Sequence, residues 1–266
     1  MTETSTPRLV DAIGRALIAV TSLAESRARW EALGFRFEDE EDYAGCRAAR
    51  ARVEGADVCL IAAGSAGTAE PGTLAAAVVE KLQQGPGLIG WSWSVADLDD
   101  AFTAFSERGI QAQIASDGLA VIDPAHTPGA ITLLEQRRGF VHDVDHPNCV
   151  TSTDHIVLMC GDAQATAAIY AEAFSLRPRI EEARGRTYAY AKVGRSLLEI
   201  VGPPEPEERS PTLWGLAMIS SDLDRSAAAA RDAGLSSKDP KPAVQGGRIL
   251  PLPEPVDGVA LAFMER

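Results

Sequence analysis

The sequence predicts an α+β fold in which four βαβββ modules form two similar halves. Three observations support this fold class. Long segments of the first half match segments of the second, each expected helix follows an apolar strand at a polar capping residue, and the segments after the helices show strand-like alternation. The chain has 266 residues, which is enough for one or two domains.

The clearest repeat relates residues 87–111 to residues 213–237. Both segments run from an apolar stretch into an Asp-Leu-Asp phrase, continue as an Ala-rich amphipathic helix, and reach a glycine followed by Ile or Leu. The two Asp-Leu-Asp phrases begin at Asp97 and Asp222, which are 125 residues apart. This match indicates a structural unit that is used twice.

A second repeat relates residues 15–37 to residues 155–177. Each segment is an apolar strand, then a polar residue, then a helix with an aromatic residue near its middle. The aromatic residues are Trp30 and Tyr170, which are 140 residues apart. The chain therefore contains two pairs of matching units.

The four helices of these units are expected to begin at a cap and to end near a turn. Ser and Asp side chains accept hydrogen bonds from the first free N–H groups of a helix, and glycine adopts the left-handed conformation that ends one. The expected caps are Ser22, Asp97, Asp162 and Asp222. The expected ends are Gly34, Gly109, Ser175 and Gly234.

These signals divide the chain into a tail, two domains and a linker. Segments rich in Gly, Pro and charged residues separate the units. The expected organisation is a tail at 1–12, a first domain at 13–136 with modules 13–63 and 87–136, a linker at 137–152, and a second domain at 153–266 with modules 153–202 and 212–265. The linker phrase His-Pro-Asn at 146–148 is interpreted as a turn that holds the halves in register.

The composition argues against several classes of function. The net charge is −13, from 38 acidic and 25 basic residues, which disfavours a nucleic-acid backbone or an anionic membrane as partner. No apolar run reaches the roughly 18 residues of a membrane span. The four cysteines form no Cys-x-x-Cys pair, and the first eight residues do not resemble a signal peptide, so a cytoplasmic location is expected. The sequence contains no Gly-rich phosphate loop or nucleophile elbow.

Three phrases resemble the vicinal-oxygen-chelate superfamily, which includes glyoxalase I, extradiol dioxygenases, methylmalonyl-CoA epimerase and bleomycin-resistance proteins. They are Asp-His-Ile-Val-Leu at 154–158, Ser-Leu-Leu-Glu-Ile-Val at 196–201 and Asp-Leu-Asp-Arg-Ser at 222–226. The resemblance covers nearly the whole chain. It implies that the modules pair into two glyoxalase-like open barrels, each around one pocket, while function varies widely on this fold.

The resemblance also implies a metal site in the second half. Superfamily members place metal ligands on the first and last strands of each module. Carried over to this sequence, these positions give His155, Glu199 and Glu265, and the fourth position falls on Gly215. One imidazole and two carboxylates would suit a single divalent ion, namely Fe, Mn, Ni or Zn.

The first half offers fewer candidate ligands. Arg15 stands where His155 stands, Gly90 matches Gly215, and only Glu135 provides a carboxylate, aligned with Glu265. Cys59 to Ile61 occupy the region of Glu199. We therefore expect this half to be structural or to contain a metal-free pocket. Trp91 and Trp93, on the first strand of the module at 87–136, would either line that pocket or pack in the core.

The leading hypothesis is a glyoxalase- or dioxygenase-like, metal-dependent enzyme that acts on a small molecule in the second half. Glu199 and Glu265 would then double as catalytic groups. The expected substrate-binding residues are Trp214, Tyr188, Tyr190 and Arg186.

Two alternatives stay open. The first is a metal-free protein that binds a drug or metabolite, in which Gly90 and Gly215 make room for a bulky ligand. The second is a metal-free catalytic pocket in which Glu199 or Glu265 is a general base with a raised pKa. A monomer or a homodimer is expected, because four modules allow both barrels to close within one chain.

Overall fold

The computed structural model describes residues 9–64, 70–137, 144–235, 238–243 and 246–266. The strands are β1 (Ala12–Ala19), β2 (Glu41–Tyr43), β3 (Cys46–Ala51), β4 (Asp57–Ala62), β5 (Gly87–Val95), β6 (Ala112–Ser116), β7 (Leu119–Ile122), β8 (Ile131–Gln136), β9 (Val150–Met159), β10 (Arg179–Ala183), β11 (Arg186–Val193), β12 (Ser196–Gly202), β13 (Thr212–Ser220), β14 (Lys241–Pro242), β15 (Arg248–Pro251) and β16 (Ala260–Glu265). The α-helices are α1 (Leu23–Ala32), α2 (Leu74–Gln83), α3 (Leu98–Glu107), α4 (Ala163–Phe174) and α5 (Leu223–Asp232).

These elements form two eight-stranded mixed sheets, which confirms the predicted α+β fold of four paired βαβββ modules. The strand orders are β2-β3-β4-β1-β5-β8-β7-β6 and β10-β11-β12-β9-β13-β16-β15-β14. In each sheet the first strands of two modules pair antiparallel at the centre, and each first strand pairs parallel with the last strand of its own module. Helix α2 lies between the first two modules. No helix of the described residues is long and apolar enough to cross a membrane.

Local sequence explains where the module helices begin. Each of the four expected caps, Ser22, Asp97, Asp162 and Asp222, accepts a hydrogen bond from the backbone N–H three residues later. This bond pairs one of the free donors of the first helical turn. Helix α4 ends at Ser175, which has a φ of 55° and adopts the left-handed conformation without being a glycine.

The module helices pack on one face of each sheet, and both sheets contribute to a single core. Helix residues and strand residues of both halves belong to one continuous buried cluster. Within this cluster, the Trp93 ring of β5 packs against the Phe174 ring of α4 with centroids 4.6 Å apart, and the Trp91 ring lies 5.6 Å from that of Tyr170. Trp91 and Trp93 are fully buried, so they are core residues and do not line a pocket.

The His-Pro-Asn phrase joins the two halves through buried hydrogen bonds. The Asn148 amide donates to the Leu33 carbonyl at 2.9 Å, and the Arg36 N–H donates to Nδ1 of His146 at 3.0 Å. Nε2 of His146 lies 2.7 Å from the Arg52 carbonyl. Burial lowers the pKa of His146, which favours the neutral ring that these contacts require. The other linker histidine, His142, lies outside the described residues.

The faces opposite the helices differ between the two sheets. In the first sheet this face carries a second apolar cluster, and Leu74 and Val78 of α2 pack against it. Strands β4 and β5 are consequently buried at every position. In the second sheet the connection at 203–211 forms no helix, and strands β11 and β16 alternate between more buried and more exposed positions. The second sheet therefore has one accessible face, called here the open face.

Candidate functional site

The strand register brings polar and aromatic side chains together on the open face. His155 of β9 pairs with Leu197 of β12, and Glu199 lies two residues further along the same strand. Tyr190 of β11 is level with Glu199. Because side chains on one face of a strand alternate, the neighbouring positions Val157 and Tyr188 also belong to this face.

His155 and Glu199 are in direct contact at the centre of the open face. Nε2 of His155 lies 3.0 Å from Oε2 of Glu199. The other ring nitrogen, Nδ1, lies 2.9 Å from Oδ2 of Asp154, whose second oxygen binds the Arg266 guanidinium. The side chains of His155 and Glu199 are 20% and 14% exposed, so a small molecule has access to both. The imidazole is thus held between two carboxylates.

The electrostatics of the two carboxylates differ. Burial raises the pKa of Glu199, and the nearby Asp154 raises it further, against the opposing effects of His155 and a hydrogen bond from Tyr190. Asp154 is also desolvated, but its hydrogen bond to His155 and the charges of His155 and Arg266 lower its pKa. The pKa of Glu199 is therefore shifted toward neutral pH and that of Asp154 is shifted away from it.

A stacked pair of tyrosines borders the His155–Glu199 contact. The rings of Tyr188 and Tyr190 are 5.9 Å apart and nearly parallel, at 3°. Burial and the carboxylate of Glu199 raise the pKa of Tyr190 to about 12, so its phenol stays protonated at neutral pH. Arg179 packs over the Tyr190 ring at 5.2 Å. The tyrosines therefore provide a flat surface beside the polar centre.

Two expected substrate-binding residues lie nearer the edge of this site. Arg186 is exposed at the start of β11, beside the turn to β10. Trp214 falls at a register irregularity between Leu213 and Gly215, and it is 58% exposed. Neither residue lies at the level of His155 on its strand, and their roles in binding stay predictions.

The structure does not bring Glu265 to His155 and Glu199. Glu265 alternates with Leu261 and Phe263, which belong to the helix-packed core. Its carboxylate binds Arg248, which also reaches Asp224 on α5. Glu265 therefore points to the face that carries the helices, and its assignment as ligand and catalytic group is corrected here.

Solved structures of other proteins have a similar arrangement of modules. A substituted variant of 4-hydroxymandelate synthase from Streptomyces coelicolor matches with a TM-score of 0.65 and 13% identity, over 97% of this chain and 93% of that one. A fusion of a xylose isomerase-like TIM barrel with 4-hydroxyphenylpyruvate dioxygenase matches with a TM-score of 0.66 and 15% identity, over 98% of this chain and 49% of that one. The chain has the vicinal-oxygen-chelate fold. No family model and no curated protein sequence matches.

The residues at the metal positions of the vicinal-oxygen-chelate fold do not fit a metal ion in the second half. Strand pairing places Ala217, and not Gly215, level with His155. Ile219 is level with Met264, so the last-strand position holds a thioether side chain, where a carboxylate was expected. Only His155 and Glu199 remain as donors. Within the described ranges, no group of three His, Cys, Asp or Glu side chains is placed to hold a metal.

The two glycines at matching positions have a structural role. A Cβ at Gly215 would lie 2.2 Å from the Ala260 carbonyl oxygen, and one at Gly90 would lie 1.6 Å from that of Ile131. Each glycine therefore allows a first strand to approach a last strand closely. This finding corrects the interpretation that they make room for a ligand.

In the first half, an ion pair occupies the equivalent positions of the vicinal-oxygen-chelate fold. The Arg15 guanidinium donates to Glu135 at 2.8 and 3.0 Å, and Ser92 donates to the same carboxylate at 2.7 Å. Arg15 and Ser92 are buried. These contacts support a structural role for the first half.

Sequence reasoning missed Asp154 and Arg266. The available signal was the ionisable pair Asp154 and His155, which ends the polar run 151–155 and precedes the apolar run 156–159 of β9. Regular alternation would turn one of the two side chains into the core, so the pair indicates a bulge.

Proposed function

We propose that the open face of the second sheet binds a small organic molecule and transfers a proton to or from it without a metal ion. In this proposal Glu199 is the base, and His155 is the partner that takes up or returns its proton. The single observation that carries the proposal is the 3.0 Å contact between Nε2 of His155 and Oε2 of Glu199 on an accessible face.

The environment of Glu199 supports this role. A general base is most effective when its pKa lies nearer the working pH than that of an ordinary carboxyl, and burial shifts the pKa of Glu199 upward. His155 is close enough to share the proton through one hydrogen bond. The reaction class that this pair serves best is removal of a proton from carbon beside an electron-withdrawing group.

The lining of the open face supports an apolar or aromatic substrate. Val157 and Ala217 lie on the same face as the dyad, and Met159, Ile219 and Met264 are partly exposed there. The stacked tyrosines add a flat aromatic surface. Binding sites of this type combine apolar walls with a few polar groups that orient the ligand.

A probe reaction tests the proposal without knowledge of the natural substrate. The probe is 5-nitrobenzisoxazole, a planar aromatic carbon acid. Removal of its ring C–H proton by a base breaks the N–O bond, and the electron pair leaves on oxygen as a coloured phenolate. We expect the wild-type protein, dialysed against a chelator, to accelerate ring opening. Glu199→Gln is expected to reduce kcat by about 100-fold, since an amide does not accept the proton.

The matched control is Glu181→Gln, which changes a carboxylate on β10, two strands away from Glu199 on β12. Glu181 pairs with Arg179 at 2.9 Å and is level with Tyr188. Its replacement should leave the probe reaction within about twofold of wild type. Equal rates for wild type and Glu199→Gln would contradict proton transfer at this site.

Ligand binding without chemistry is a second candidate, favoured by the apolar lining and the tyrosine pair. The same experiment separates the two. Retained KM with lost kcat in Glu199→Gln supports a site that both binds and reacts, whereas saturable binding of the probe by wild type with no Glu199-dependent turnover supports a binding protein.

A further inference from the structure

Asp154 occupies an unusual place in strand β9. His155 is level with Ala217, but the next pair along the strands is Thr153 with Met218, with a register shift between them. Asp154 is therefore the extra residue of a β-bulge. A bulge re-aims side chains and brings two consecutive residues toward the same side. Here it places the Asp154 carboxylate against Nδ1 of the adjacent His155, at 2.9 Å.

In the first half, the residue at the position of Asp154 is a glycine, and other side chains fill the volume beside it. Gly14 is the residue equivalent to Asp154, and a Cβ at Gly14 would lie 2.7 Å from Oγ of Ser92 and 3.4 Å from a Glu135 oxygen. Ser92 and Glu135 thus fill that volume in the first sheet. In the second sheet the matching positions hold Ala217 and Met264, and the carboxylate comes from the first strand itself, at Asp154.

We propose that Asp154 is a positioning residue, which fixes the His155 ring with its proton on Nδ1 and presents Nε2 to Glu199. This inference rests on the proposed function of the open face. An ionised carboxylate accepts the Nδ1–H bond and stabilises the imidazolium that forms when His155 takes the proton from Glu199. Arg266 holds the other Asp154 oxygen and keeps the carboxylate in place.

The contacts of the His155 ring with Asp154 and Glu199 determine how a proton moves through this site. With Nδ1–H donating to Asp154, the neutral ring has no proton on Nε2, which faces the ionised Glu199. When Glu199 takes a proton from substrate, that single proton lies between Oε2 and Nε2. If the ring accepts it, the resulting imidazolium lies between two carboxylates. The structure around Asp154 is nearly closed to water, since its side chain is 9% exposed.

The test combines ¹⁵N NMR of the His155 ring with kinetics on 5-nitrobenzisoxazole. In wild type we expect the Nδ1 resonance of a protonated nitrogen. In Asp154→Asn we expect the proton to shift toward Nε2, because the amide no longer favours Nδ1–H. We expect kcat to fall at least about 10-fold with KM changed less than about twofold. A purely structural residue would not move the tautomer.

Asp224→Asn is the matched control, since Asp224 pairs with Arg248 away from the open face. It should leave both readouts unchanged. A wild-type ring that is neutral and protonated at Nε2, or an Asp154→Asn ring with unchanged ¹⁵N shifts, overturns the inference. The wild-type spectrum alone decides the matter if the Asn variant does not fold. A shifted tautomer with no Glu199-dependent turnover in wild type supports the positioning by Asp154 and contradicts the proposed function.

Discussion

Replacing Arg15 with methionine is expected to lower the free energy of unfolding by about 3–5 kcal/mol, because it leaves a buried carboxylate without its partner. Arg15 is 5% exposed, and its guanidinium binds Glu135 and Glu41 and packs over the Tyr43 ring. Burial alone would raise the pKa of Glu135, but the charge and hydrogen bonds of Arg15 outweigh it and lower that pKa. The variant removes this compensation.

Urea unfolding followed by tryptophan fluorescence measures this loss. The double variant Arg15→Met with Glu135→Met is the control, and it should recover a large part of the stability, because two apolar side chains replace a buried ion pair at modest cost. A single variant within about 1 kcal/mol of wild type would contradict the structural role assigned to this ion pair.

Replacing Phe174 with alanine is expected to destabilise the whole chain by about 3–5 kcal/mol. Phe174 belongs to α4 of the second half, yet it is fully buried against first-half aromatics. Its ring lies 4.6 Å from Trp93 and 5.6 Å from Phe105. The substitution would leave a cavity where α4 packs against the first half, so both sheets would lose packing contacts.

Calorimetry of the Phe174→Ala variant checks whether the halves share one core. We expect one transition at a lower temperature. Phe102→Ala, a change at a partly buried position of α3, should have a smaller effect. Two separate transitions, with only the second half destabilised, would show that the halves fold on independent cores.

The module architecture was predictable because its signals are local. Caps such as Asp97 and Asp222 determine where helices begin, and the matching phrases that start at these caps reveal the repeat without knowledge of tertiary contacts. The core role of Trp93 was left open, because alternation shows that two residues share a face and does not show which face is covered. That choice depends on α4, which packs against Trp93 from the other half of the chain.

The site was predictable only in part. His155 and Glu199 were identified from the family resemblance, and the regular parallel register of β9 and β12 brings them together. The assignment of Glu265 was wrong. The first and last strands of the fourth module are four residues further apart in sequence than those of the second module. Met264 therefore takes the place that Glu135 has in the first half. Register shifts between β9 and β13 similarly place Ala217, and not Gly215, opposite His155. Bulges and loop lengths are set by tertiary packing, so counting along the sequence does not locate them.

The pH dependence of the probe reaction, measured after chelation, tests the central claim most directly. The base must be ionised, so the rate should rise with pH through the pKa of Glu199. Because burial raises that pKa, the midpoint should lie above the roughly 4.3 of an ordinary glutamate. Addition of Fe²⁺, Mn²⁺, Ni²⁺ or Zn²⁺ should not increase the rate. Activity that disappears with the chelator and returns with one of these ions would contradict metal-independent proton transfer by His155 and Glu199.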